Sequence, residues 1–192
     1  MKGVAIFLAD GFEDMEAVAT LDILRRGGVD VSTVSMASGP EVRSSHGLTV
    51  VADRMFADFL AEAEREGTAR EDVMIFPGGL PGARHLAEHA GLMGLMQRHY
   101  AAGGTVAAIC AAPGLVVSQL EPLAGVRFTC YNGFEELPQA KGAEYLPEER
   151  VVTDGRLITG RGPGVAVSFG LAILAHLKGD RAAECVKDGL LL

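Results

Sequence analysis

The chain has 192 residues, 48% of them hydrophobic, with 17 Lys and Arg against 25 Asp and Glu for a net charge of −8. That length suits a single domain spanning 1–192 with a buried core, and the apolar content excludes a disordered chain. An acidic protein also argues against nucleic acid and anionic membranes as partners, since both recruit basic surfaces.

Val4–Leu8 is an unbroken apolar run between turn residues, the pattern of a strand in a parallel sheet covered on both faces. A helix over Asp14–Arg26 and a strand over 29–36 follow, and the charged stretch 62–72 reads as a solvated helix end and loop. Val73–Phe76 and Thr105–Ile109 are further buried strands, with helices expected over 92–102, 111–120 and 164–178. Residues 151–153 and 156–159 flank Asp154-Gly155, a hairpin turn at one edge of the sheet. Strand–helix alternation of this kind predicts an α/β three-layer sandwich with a mostly parallel sheet.

Cys110, Cys130 and Cys185 are an odd number without C-x-x-C spacing, which fits a reducing cytoplasm better than disulfides or a zinc site. The first apolar run is too short for a signal peptide, and the most apolar stretch, 165–177, falls short of the ~20 residues that span a bilayer. Gly160-x-Gly162-x-Gly164 does not match a dinucleotide fingerprint, and no phosphate-cradling G-x-x-x-x-G-K-[ST] occurs. Neither cofactor nor metal is expected.

Open α/β sheets bind ligands beyond the carboxyl ends of their strands, so the residues that follow each strand matter most. Cys110 ends one apolar strand and opens a helix, the layout of a nucleophile elbow after a central strand. A helix N-terminus lowers a thiol's pKa, so a reactive thiolate is expected there; a small buried residue is the plainer alternative. Pro77-Gly78-Gly79 lets the backbone approach a ligand, and the N–H groups of Gly79 and Ala111 are placed to hold an oxyanion. On the first helix the expected core stripe is Ala17, Val18, Leu21 and Leu24, with Glu16 pointing away from it. A second apolar stripe, Met15, Ala19 and Ile23, suggests a subunit contact.

The segments F-L-A-D-G-F-E-D-M-E-A-V, F-P-G-G, A-A-I-C-A-A-P, T-C-Y-N-G-F-E and T-G-R-G-P-G together resemble the DJ-1/ThiJ/PfpI superfamily, closest to its DJ-1-like bacterial branch. The resemblance implies a flavodoxin-like sandwich, usually a homodimer, with Cys110 as the reactive cysteine and Glu16 as the buried glutamate beside its sulfur. Cys130 stands where many relatives carry a histidine, so base work falls to Glu16; Cys130 is either a modulating thiol or a buried small residue. His46 stands where relatives often have an arginine, and is either a ligand-positioning group or an exposed loop histidine. Ala111 replaces the histidine that follows the nucleophile in the protease-like branch, which disfavours a peptidase.

Two functional classes remain. In one, Cys110 adds to a small aldehyde such as methylglyoxal or processes its adducts, as glyoxalase III and deglycase enzymes do, with Glu16 relaying the proton. In the other, the protein is a redox sensor or stress chaperone whose Cys110 is oxidised to sulfinate.

Overall fold

The computed structural model describes residues 3–67 and 72–192. Seven strands form one sheet: β1 (Val4–Leu8), β2 (Val31–Ser35), β5 (Arg54–Met55), β6 (Val73–Phe76), β7 (Thr105–Ile109), β10 (Val151–Asp154) and β11 (Leu157–Gly160). Their spatial order is β10-β11-β7-β6-β1-β2-β5. All neighbours are parallel except β10 with β11, where Val151 pairs with Gly160 and Asp154 with Leu157 across the expected edge hairpin. Two ribbons lie outside it, β3 (Glu41–Arg43) with β4 (Thr49–Val51), and β8 (Arg127–Phe128) with β9 (Glu144–Tyr145).

Both faces of the sheet are covered, for the reason that made its strands legible. Side chains alternate along a strand, so Ala5 and Phe7 of β1 enter one core while Val4, Ile6 and Leu8 enter the other. The first core holds α2 (Phe56–Glu66), α3 (Gly82–Glu88), α4 (Ala90–Ala101) and α5 (Ala112–Leu115) against the sheet. Phe7 anchors it, stacked on Phe76 at 5.4 Å and edge-on to Phe59 at 5.3 Å between ring centres. The second core is closed by α1 (Asp14–Arg26), α7 (Ala166–Lys178) and α8 (Asp180–Gly189). A short helix, α6 (Glu136–Ala140), lies beyond the strand ends. Among the described residues no helix is long and apolar enough to cross a membrane.

Several expectations are corrected. The buried face of α1 is Glu16, Ala17, Thr20, Ile23 and Leu24, whereas Val18 is 42% exposed. Glu16 therefore points into the protein. Ile23 belongs to the core and not to a subunit contact, because it packs where Gly170 of α7 lacks a side chain: a Cβ there would lie 3.0 Å from Ile23. The helix expected over 111–120 is one turn, α5, followed by a 3₁₀ turn over Val117–Gln119. Pro113 and Gly114 are poor helix formers, and Gly114 abuts Phe134 so closely that a Cβ would meet its carbonyl oxygen. In the charged stretch 62–72, α2 runs to Glu66, and residues 68–71 lie outside the described residues. Asp72 is buried, since its carboxylate accepts the Gly3 N–H at 2.5 Å.

The placement of α1 makes a direct prediction. Ile23→Ala should cost about 2–4 kcal/mol in urea unfolding, as expected for a buried large-to-small change. Val18→Ala, at an exposed position of the same helix, should stay within about 0.5 kcal/mol.

Candidate active site

Cys110 follows β7 directly and has φ 65°, the left-handed region that residues with a Cβ avoid. Such a conformation costs on the order of 1–2 kcal/mol and persists where surrounding bonds impose it. Here the Cys110 N–H donates to the Gly160 carbonyl at 2.9 Å, and the Cys110 carbonyl accepts the Tyr131 N–H at 2.8 Å. The sharp turn sets the thiol at the end of the sheet, half-buried and in contact with both cores. The elbow read from the sequence is present.

Glu16 is 1% exposed and faces the thiol from the first turns of α1. The N-cap of that helix is Glu13, whose carboxylate accepts the Glu16 N–H at 2.8 Å. Glu16 Oε2 accepts the Gly78 N–H at 2.7 Å, Oε1 has no hydrogen-bond partner among the described residues, and the carboxyl group as a whole interacts with the Cys110 thiol. Gly78 lies between the two groups. A Cβ there would sit 2.6 Å from Cys110 Cβ and 2.8 Å from Glu16 Oε2, so only glycine lets them meet. The pair of glycines after a strand pointed here, but the contact that needs Gly78 is a tertiary one.

The next residue, Gly79, has φ 85° and crosses the start of α1 so closely that a Cβ would lie 2.5 Å from the Glu13 nitrogen. Its N–H and that of Ala111 both hydrogen-bond the Cys110 sulfur. The structure thus gathers Cys110, Glu16, Gly79 and Ala111 at one point; the strand ends pointed to Cys110, Gly79 and Ala111, whereas for Glu16 this is the place implied by the resemblance and not by the helix stripe.

The electrostatics differ from a simple thiolate at a helix end. Burial, then the charge and hydrogen bond of Glu16, push the Cys110 thiol up to about 12, against the lowering effect of the Gly79 and Ala111 N–H groups. A four-residue α5 offers too little dipole to reverse this. Burial likewise raises Glu16 to about 7, partly offset by the Gly78 N–H, with the Glu13 charge adding to the rise. Two such groups titrate as a unit, and a thiolate forms when the remaining proton resides on Glu16.

The two expected modulators lie apart from this pair in character. Cys130 is fully buried beside Phe128, Phe134 and Tyr145; burial first, then the Glu135 charge, push its thiol up to about 12. That environment favours the reading of a buried small residue. His46 has a side chain 72% exposed on the loop between β3 and β4, where its Nδ1 lies 2.9 Å from Asp14 Oδ2. It braces the start of α1 together with Ser44, whose hydroxyl donates to Asp14 Oδ1 at 2.6 Å.

A model of the DJ-1/PfpI family matches residues 2–176. The chain belongs to the DJ-1/PfpI family. Protein dj-1beta of Drosophila melanogaster is 33% identical over 192 residues, covering 100% of this chain and 97% of that protein. Glutathione-independent glyoxalase DJR-1.2 of Caenorhabditis elegans is 32% identical, over 94% of this chain and 90% of that one. Protein DJ-1 homolog A of Arabidopsis thaliana is 36% identical, and the chain spans 47% of its length. Among solved structures, a DJ-1 superfamily protein of Salmonella typhimurium superposes with TM-score 0.86 at 33% identity, covering 100% of this chain and 98% of that one. The family's flavodoxin-like sandwich is therefore this chain's fold.

The buried carboxyl makes stability depend on pH in a defined direction. A carboxyl raised from 4.5 to about 7 favours the fold fully below the lower value and loses that contribution as pH rises through the higher one. The Glu16 contribution to wild-type stability should fall by about 3 kcal/mol across that window. Glu16→Gln should remove the slope, so chemical unfolding from pH 4 to 8 should show the variant gaining on wild type.

Proposed function

We propose that the protein is a cysteine-dependent enzyme for small reactive carbonyls, converting 2-oxoaldehydes such as methylglyoxal to 2-hydroxy acids. The observation that supports it best is the buried Glu16 carboxyl, held by the Gly78 N–H and interacting with the Cys110 thiol, with one oxygen free of any partner among the described residues. The relative named as a glutathione-independent glyoxalase supports the same chemistry.

With the proton on Glu16, the Cys110 thiolate adds to the aldehyde carbon and the new oxyanion takes that proton, giving a hemithioacetal. The N–H groups of Gly79 and Ala111 hold the oxyanion as charge develops. Glu16, now a carboxylate, carries the C–H proton to the neighbouring ketone oxygen, giving an enediol, and then carries the proton of the first hydroxyl to the neighbouring carbon. The product is a 2-hydroxy thioester on Cys110. Water cleaves it, releasing the hydroxy acid and restoring the thiol, so the sum is 2-oxoaldehyde plus water to 2-hydroxy acid. An early adduct of the aldehyde with an amine or thiol would enter the same sequence, the deglycase form of the reaction, with the amine or thiol as an additional product.

Purified protein without glutathione should convert methylglyoxal to lactate. Cys110→Ser should abolish lactate formation, and Glu16→Gln should lower kcat by about 10²–10⁴-fold, the usual worth of general acid–base catalysis. The rate should climb as pH passes about 7, where the pair loses its first proton, and should not fall again in the neutral range. Absence of lactate above a buffer control would sink the reading and turn attention to oxidation of Cys110.

We also propose a homodimer through α1. Met15 is 57% exposed beside Ala19, and with Pro163, Leu171 and Leu192 these residues line a largely apolar depression of about 570 Å³. A second copy is the occupant the family resemblance suggests. Sedimentation equilibrium should give twice the 20.1 kDa chain mass, and Met15→Asp should shift it toward the monomer.

A further inference from the structure

A cavity of about 280 Å³ lies next to the elbow, lined by Tyr131, Asn132, Arg161, Pro163 and Val165 with the glycines between them. Two main-chain bonds tie its walls to the nucleophile. Tyr131 donates its N–H to the Cys110 carbonyl, and Gly160, which precedes Arg161, accepts the Cys110 N–H. Tyr131 is 50% exposed and its ring covers Gly162 so closely that a Cβ there would meet the ring at 3.2 Å.

Two side chains bring N–H donors to this cavity, Arg161 and Asn132. Arg161 is half-buried and its Nη2 donates to Asn132 Oδ1 at 3.3 Å. With that oxygen turned to the guanidinium, the Asn132 amide nitrogen remains as a second donor on the same wall. Among the described residues Arg161 makes no ion pair with a carboxylate, unlike Arg25, Arg26, Arg54 and Arg127. Glu135, which acts electrostatically on the neighbouring Cys130 as Arg161 does, is instead held by the Gly133 N–H at 2.7 Å. Arg150 braces the loop beyond by donating to the Gly164 carbonyl at 3.3 Å. A guanidinium and an amide N–H on one cavity wall, with no carboxylate paired to the guanidinium among the described residues, is a donor set that recognises a carboxylate.

We propose that this cavity binds a carboxylate carried by the carbonyl substrate, with Arg161 as the residue that selects it. The substrate class is then a 2-oxoaldehyde bearing an acid a few bonds from the reacting carbon. The methyl group of methylglyoxal would leave most of the cavity empty. This inference rests on the carbonyl chemistry proposed for Cys110, and deepens it by naming which carbonyls are preferred.

The test compares two 2-oxoaldehydes of matched length, 4,5-dioxopentanoate and the neutral 2-oxopentanal. Wild type should show a higher kcat/KM on the acid by about tenfold or more, the worth of one charge-assisted hydrogen bond. Arg161→Gln should erase that preference through KM, and Arg161→Lys should restore part of it. Equal losses on both substrates, or no preference in wild type, would overturn the assignment. Turnover of neither compound would defeat the carbonyl reading itself, so binding is measured separately with Cys110→Ser protein and 2-hydroxyglutarate by calorimetry. Binding that weakens about tenfold on adding Arg161→Gln supports the anion site regardless of turnover; no detectable binding, or binding indifferent to Arg161, rejects it.

Discussion

The structure depends on keeping a carboxyl group where water cannot reach it. Glu16 is buried against Cys110, and burial, partly offset by the Gly78 N–H, holds its proton until pH approaches about 7. Three features around the pair limit the cost. The Glu13 side chain caps the helix that carries Glu16, the Gly78 N–H satisfies one oxygen, and the absent side chain of Gly78 makes room for the sulfur. What results is a shared proton that either group can hold, which is what an acid–base relay at a nucleophile requires.

Strain at Cys110 belongs to the same arrangement. A residue at φ 65° is held there by bonds to Gly160 and Tyr131, so the end of β11 and the segment after β8 both fix the elbow. Those segments continue directly into Arg161 and Asn132, which wall the adjoining cavity. The fold thereby couples the position of the nucleophile to the shape of the space beside it. A change in either loop would be felt at the thiol through the main chain, without any direct side-chain contact.

Much of the fold was legible because its sheet is buried on both faces. The continuous apolar runs of β1, β6 and β7 can belong only to strands covered twice, and their ends pointed to Cys110 and the Pro77-Gly78-Gly79 turn. The helices were harder to read. Charged residues between Phe56, Phe59 and Ala63 obscured α2, and α1 was assigned the wrong buried face because Glu16 was counted as a polar, outward residue. Its true orientation follows from tertiary contact: Ile23 must meet the bare backbone of Gly170, and that rotation carries Glu16 inward.

From the sequence alone came the order of elements, the elbow after β7 and the residue types at each strand end. These are local consequences of periodicity and turn chemistry, which a chain cannot hide. Tertiary structure decided the proton chemistry. A thiol at a strand end looks activated by position, but its affinity for a proton is set by burial and by a carboxyl 94 residues away in the chain (110 − 16). Solvation and charge depend on all the surrounding atoms, and those are assembled only when the chain folds.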